Sequence, residues 1–235
     1  MTERWNLQTI GLSRRTDLDE QFPLDPAKTA LVVVDMQYYS GCRTTGLGKR
    51  YSDAGQEELV EWRFDRIEQV AVPNIQRLLA HCRANGLRVV YVQLGSHTRD
   101  FAEVPAHMRN MLAAGDGWFG NPNAAILEEI APAEGEPVFR KNTVGAFAST
   151  AIDAHLRQNG VEHLVFTGIS TAACVDSTAR AAADLGYHCA LVSDGCSDMT
   201  RENHEWALHH FQRLFGRVME TADVLRELST TDDQR

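Results

Sequence analysis

Three residues of reactive type stand where apolar runs of the chain stop. Asp35 closes TALVVVD (29–35), Lys141 closes EPVFRK (136–141), and Cys174 follows HLVFTG (163–168) by six residues. A thiol, a carboxylate and an ammonium form a set suited to attack on a carbonyl. The sulfur is the nucleophile, the carboxylate moves its proton, and the ammonium offsets the negative charge of both. Each residue also has an ordinary reading. Asp35 can cap a helix, Lys141 can be solvated, and a free cysteine is usually a core residue. What points to chemistry is that all three lie at the ends of runs that read as strands.

Cys174 has the best individual case. It lies in TGISTAACVDSTAR (167–180), where small polar residues lead into an alanine-rich stretch. The spacing predicts a helix from 171, with Thr171 as N-cap and Cys174 in the first turn. The helix dipole there favours thiolate over thiol. Free backbone N–H groups at a helix start can also hold an oxyanion. The other cysteines lack this setting. Cys82 is on the apolar face of a helix, Cys189 is inside a strand, Cys196 follows it in a loop, and Cys42 is in a loop after Asp35.

The elements that must position these residues alternate. Strands are expected at 29–35, 87–93, 136–141, 163–168, 188–194 and 217–221. Helices are expected at 54–85, 151–160, 171–186 and 201–216, with a short one running to about 228. Within the first helix Ile75, Leu78, Leu79 and Cys82 recur at helical spacing. The pattern predicts an α/β, three-layer Rossmann-like fold, with a mostly parallel central sheet of about six strands and helices on both faces. Sites in such sheets lie past the C-terminal strand ends. Residues 1–28 read as an N-terminal arm, 29–228 as one hydrolase-sized domain, and 229–235 as a flexible tail. The stretch 94–123 has no clean period and reads as a long excursion near the site.

Composition narrows the partners. Of 235 residues 43% are hydrophobic and 23% charged, and the net charge is −9. That balance, with no basic cluster, argues against nucleic acid. The longest aliphatic run, ALVVV (30–34), is too short for a membrane span. Five irregularly spaced cysteines, with no CxxC, fit neither a disulfide framework nor a structural zinc site. A cytoplasmic location is the expectation.

TALVVVDMQ, FRKNTVGAF and TGISTAACVDSTAR resemble, in order and spacing, the signature segments of the isochorismatase-like cysteine hydrolases. The third is the most specific: Gly168, Thr171, Cys174, Val175, Thr178 and Arg180 fill G-x-x-T-x-x-C-V-x-x-T-x-R. The resemblance implies a catalytic triad of Asp35, Lys141 and Cys174. It implies a cis peptide at Ile169–Ser170, with the Ser170 and Cys174 N–H groups as the oxyanion hole. Substrate contacts are expected from Gln37, Tyr39, His97, Trp118 and Phe147. The metal-binding branch of the family carries a D-x-H element after the second strand. Here Gly95 occupies the first ligand position and only His97 remains, so no metal and no cofactor are expected. The branch that cleaves a vinyl ether needs no sulfur nucleophile, so Cys174 favours C–N hydrolysis. Within that branch GSHTRDFAEVPAHMR (95–109) is similar to the loop of biuret hydrolases and N-carbamoylsarcosine amidases. The expected activity is a metal-independent amidohydrolase acting on a small amide, carbamoyl or ureido compound, releasing ammonia. The alternatives are an isochorismatase-type ether hydrolase and a non-catalytic small-molecule binder. The family implies a homodimer or homotetramer, with the arm or the 94–123 excursion at an interface and Trp118 and Phe119 covered there.

Overall fold

The structure is a computed structural model and describes residues 22–229. Most of the expected arm and tail, 1–21 and 230–235, lie outside the described residues. Six strands form one sheet: β1 (Thr29–Val34), β2 (Arg88–Leu94), β3 (Val138–Lys141), β4 (His163–Ile169), β5 (His188–Ser197) and β6 (Gly216–Met219). Their order is β3-β2-β1-β4-β5-β6 and every pairing is parallel. β1 and β4 are buried along their whole length, as β-branched and apolar runs require when both faces are covered.

The helices are α1 (Tyr38–Gly41), α2 (Gly46–Asp53), α3 (Glu61–Arg66), α4 (Val72–Ala84), α5 (Ala106–Ala114), α6 (Ile152–Gln158), α7 (Asp176–Asp184), α8 (Arg201–Leu214) and α9 (Thr221–Ser229). They build an apolar layer on each face of the sheet. One centres on Val32, Val92, Phe166 and Phe211, the other on Val33, Tyr91, Phe64 and Leu78.

The chain moves outward from β1 through β2 to β3, then returns to β4 on the other side of β1. The order therefore reverses between β1 and β4, and the crevice at their C-terminal ends is where this fold places ligands. Asp35 follows β1, and the segment carrying Cys174 follows β4.

Several expectations needed revision. The helix expected over 54–85 is interrupted: a π turn, Ile67–Ala71, joins α3 to α4. Pro73, at the start of α4, has no N–H to keep the regular ladder, and a wider turn just before it accommodates the gap. The 94–123 excursion is not irregular throughout. α5 lies inside it and buries Met108 and Leu112. β5 runs three residues past its expected end. The helix expected from 171 opens with a π turn, Thr171–Val175, before α7. Thr171 is not its cap. Ser170 holds that position without a side-chain bond, and Thr171 Oγ1 instead meets His204 Nδ1 at 2.8 Å.

Candidate active site

β3 is the edge strand, two strands away from β1. With neighbouring strands about 4.8 Å apart, only a long side chain ending β3 can reach the residue after β1. Lys141 does so across the end of β2. Its Nζ lies 2.8 Å from Asp35 Oδ2, 3.3 Å from Cys174 Sγ and 3.0 Å from the Thr143 carbonyl. The Thr143 and Cys174 contacts are hydrogen bonds, and the Asp35 contact is an ion pair. Asp35 sits at φ 52°, a left-handed turn that ends the strand. Its side chain is nearly fully buried, and no hydrogen bond of good geometry reaches either carboxylate oxygen.

Charge in this place is held against burial. Burial raises the Asp35 pKa above the usual carboxylate value, and Lys141 opposes that rise. For Lys141 burial works toward neutrality, but Asp35 and Cys174 outweigh it and hold its pKa above the ordinary lysine value. The Cys174 thiol, 8% exposed, is pushed up to about 12 by burial first and Asp35 second, with Lys141 pulling the other way. The expected thiolate, favoured by the helix start, is therefore corrected. Cys174 rests as a thiol against the Lys141 ammonium, which also lies against the Asp35 carboxyl group. Desolvation of a fully enclosed sulfur, with a carboxylate beside it, outweighs one turn of helix dipole.

The segment after β4 presents backbone donors. The Ile169–Ser170 peptide is cis. The Ser170 carbonyl accepts from the Ala173 and Val175 N–H groups and skips Cys174. Side chains from three directions grip this segment. Arg63 donates to Ser170 Oγ at 2.9 Å, Asp198 Oδ2 accepts from the Ala172 N–H at 2.6 Å, and His204 meets Thr171. Thr178 Oγ1 donates to the Cys174 carbonyl at 2.6 Å and accepts from the Ala146 N–H, tying α7 to the loop after β3.

The Isochorismatase domain model matches residues 29–223, a span that includes all of these groups. The chain belongs to the isochorismatase family. Among relatives, it is similar to the ureidoacrylate amidohydrolase RutB of Acinetobacter baylyi, 28% identical over 221 residues, covering 86% of this chain and 84% of that protein. Among solved structures, a cysteine hydrolase from Pseudomonas syringae pv. phaseolicola superposes with a TM-score of 0.75 at 24% identity, covering 88% of this chain and 95% of that one. An isochorismatase family protein from Desulfovibrio vulgaris gives 0.70 at 28% identity, with coverage of 87% and 100%.

Within this family framework, the residues expected to touch substrate fare unevenly. Gln37 is corrected to a structural role. Both of its amide hydrogens go to the Leu94 and Ala124 carbonyls, and its Oε1 accepts from the Leu94 N–H. Phe147 is also corrected. Its ring meets Tyr187, which precedes β5 at the opposite end of the sheet. Tyr39 shares an apolar layer with Cys174, and its hydroxyl donates to the Met111 carbonyl, so it is a wall joining α1 to α5. Trp118 packs against the same layer beneath the Arg99 guanidinium, 4.3 Å from its ring.

His97 is exposed, and its ring lies tilted against Phe119 with centroids 4.8 Å apart. Phe119 in turn explains Gly95: a Cβ there would come within 2.8 Å of the Phe119 ring. The aromatic ring fills the space that a ligand side chain would need. Among the described residues, no group of three or more His, Cys, Asp and Glu side chains is placed to hold a metal ion.

Arg63, Asp198, His204 and Glu103 join the expected residues around the site. Glu103 organises the loop after β2, accepting from Ser96 Oγ and the His97 N–H through Oε1 and from Thr98 Oγ1 through Oε2. None of the four has a sequence signal, because each depends on contacts between distant segments.

Proposed function

We propose that the protein is a cysteine amidohydrolase that releases ammonia from a small ureido or carbamoyl compound, without a metal. The observation that carries this reading is the buried Lys141 ammonium in contact with both Asp35 and Cys174. Relatives named ureidoacrylate amidohydrolase support a ureido substrate. In the first half-reaction Asp35 takes the Cys174 proton as the sulfur attacks the carbonyl carbon. The resulting oxyanion is held by the Ser170 and Cys174 N–H groups. Asp35 then returns the proton to the leaving nitrogen, the C–N bond breaks, and ammonia departs from a thioester-type intermediate. In the second half, Asp35 takes a proton from water, the hydroxide attacks the same carbon, and sulfur leaves to recover its proton. Lys141 stays charged throughout and stabilises whichever of its two neighbours is negative. His97 and Trp118 stand on the loop that borders this crevice and are the proposed substrate contacts, with Tyr39 behind them.

The chain has no helix, among the described residues, long and apolar enough to cross a membrane. A homodimer or homotetramer is part of this reading. The expected interface at Trp118 and Phe119 loses its basis, since the chain's own Arg99 and Arg140 cover those rings. Trp206 and Leu214, 59% and 62% exposed on one face of α8, support an interface there instead. Light scattering at micromolar concentration tests it, and a monomer would remove it.

The test of function is ammonia release over a panel of ureides, carbamoyl compounds and primary amides, with intact-protein mass measured during turnover. The wild type should form an adduct on Cys174, and Cys174→Ala should release no ammonia. Turnover by Cys174→Ala above a few per cent of wild type would show that the thiol is not the nucleophile.

A further inference from the structure

Arg63 is buried in the interior, 2% exposed, on α3. Among the described residues no carboxylate pairs with it; the acid that most influences it, Asp198, is engaged by the Ala172 and Met199 N–H groups. A buried guanidinium without an ion pair is costly, so its hydrogen bonds carry information. Nε and Nη2 both donate to the Ser40 carbonyl, at 3.3 and 3.0 Å, while Nη1 donates to Ser170 Oγ at 2.9 Å. Ser40 Oγ in turn donates to the Asp35 carbonyl at 3.2 Å. One rigid fork thus spans from the segment that carries Asp35 to the segment that presents the Ser170 N–H. The backbone of Arg63 is itself pinned, its carbonyl accepting from Ser197 Oγ at 3.1 Å. A lysine has a point charge in place of this fork and would hold the two sides in poorer geometry.

We propose that Arg63 is a positioning residue for the hydrolysis: it sets Ser170 relative to Asp35 and places fixed positive charge behind the oxyanion donor. This rests on the cysteine-hydrolase reading of the site. The reaction develops negative charge only after attack, so the benefit belongs to the transition state and to kcat more than to substrate binding.

The test compares Arg63→Gln, Arg63→Lys, Ser170→Ala and the Arg63→Gln/Ser170→Ala pair with wild type, on whichever substrate releases ammonia, with melting curves to confirm folding. Loss of a direct oxyanion donor typically costs about 100-fold or more; a group acting through one should cost about tenfold. Arg63→Gln should therefore lower kcat about tenfold with KM within about twofold, and Arg63→Lys should not restore it. The pair should be no worse than about twofold below the poorer single variant. If Arg63→Gln does not fold, Ser170→Ala reads the same bond from its other end, and an unchanged kcat there overturns the proposal. Wild-type kcat in folded Arg63→Gln, full rescue by lysine, or multiplicative losses in the pair overturn it as well, provided Cys174→Ala is inactive. An active Cys174→Ala would instead overturn the nucleophile reading, and this proposal with it.

Discussion

Removing the ammonium of Lys141 should silence the thiol. In Lys141→Met the side chain keeps its length and apolar stem but loses the charge that lies 3.3 Å from Cys174 Sγ. At that distance, with an effective dielectric of about 20, the attraction between ammonium and thiolate is ~5 kcal/mol. That corresponds to between three and four pKa units, roughly. Asp35 raises the thiol more than Lys141 lowers it, and a buried Asp35 without its partner takes up a proton, so the ammonium is best removed in an Asp35→Asn background, where the carboxylate no longer changes with it. A net rise of at least about two units remains, which is a hundredfold loss of thiolate at neutral pH. The assay is alkylation by iodoacetamide, followed by intact mass. Cys42 must first be replaced by serine. It is only partly buried, and Thr44 and Thr45 hold its thiol below the ordinary value despite the burial that opposes them. Cys82, Cys189 and Cys196 do not compete, since each is at most 1% exposed against 8% for Cys174. In the Asp35→Asn/Cys42→Ser background, adding Lys141→Met should slow alkylation at Cys174 at least about 100-fold. Equal rates would refute the claim that ammonium and thiol form one electrostatic unit.

Asp35→Asn keeps the shape but cannot accept a proton, so kcat/KM should fall by about a thousandfold or more. In the wild type Asp35 works deprotonated and burial raises its pKa, so activity should fall away with acid at a pH above the ordinary aspartate value of 3.8, and a limb at or below that value would count against it. His204 is held down to about 3 from 6.5 by burial first and by Arg66 and Arg201. Its neutral form is the folded form, so the stability it contributes is complete above pH 6.5 and declines as pH falls toward 3. Urea unfolding should show ~2 kcal/mol lost through this group between pH 6.5 and about 5, a loss absent in His204→Phe. Exhaustive chelation should leave ammonia release intact, and loss of activity restored by zinc or manganese would show that a metal is required. Gly95→Ala should raise KM severalfold, roughly, by forcing Phe119 and the His97 loop aside, and an unchanged KM would separate that loop from the substrate.

The sheet and the Asp35, Lys141 and Cys174 positions were legible because they follow from local pattern. A fully apolar strand that stops at a charged residue carries its own end marker. Strand ends in a parallel sheet share one side, so three such ends converge without further information. The errors have a common physical origin. Gln37 and Phe147 lie near the right strand ends, but which way a side chain turns depends on what fills the space around it, and that filling comes from residues 85–125 and 187. Arg63 is the sharper case. An arginine in EWRFDR, where four of six residues are charged, gives no sign in the sequence that it is the one turned inward. Its partners in the interior, Ser40 and Ser170, lie 23 and 107 residues away in the chain. The chemistry of the thiol was misjudged for a related reason. A helix start is visible in sequence, whereas the desolvation that outweighs it exists only after the chain has closed around the sulfur.

Gly168 lies on β4 opposite Val34, at φ 114°, and a side chain there would collide with the Val34 carbonyl. Asp35 begins one residue beyond that carbonyl, and Ser170 two residues beyond the glycine. The distance between Asp35 and Ser170, the proposed proton carrier and oxyanion donor, is thus set by a missing atom. This bears on how the enzyme can be altered. Most distances in a pocket can be tuned by a graded series such as alanine, valine, leucine. Here the first step of any such series already parts the two central strands, so neither drift nor engineering has a gradual route through this position. Enlarging the range of substrates must go through the segments at 38–51 and 96–119, which rest on the crevice from outside and can change length or composition while the gap between β1 and β4 stays fixed.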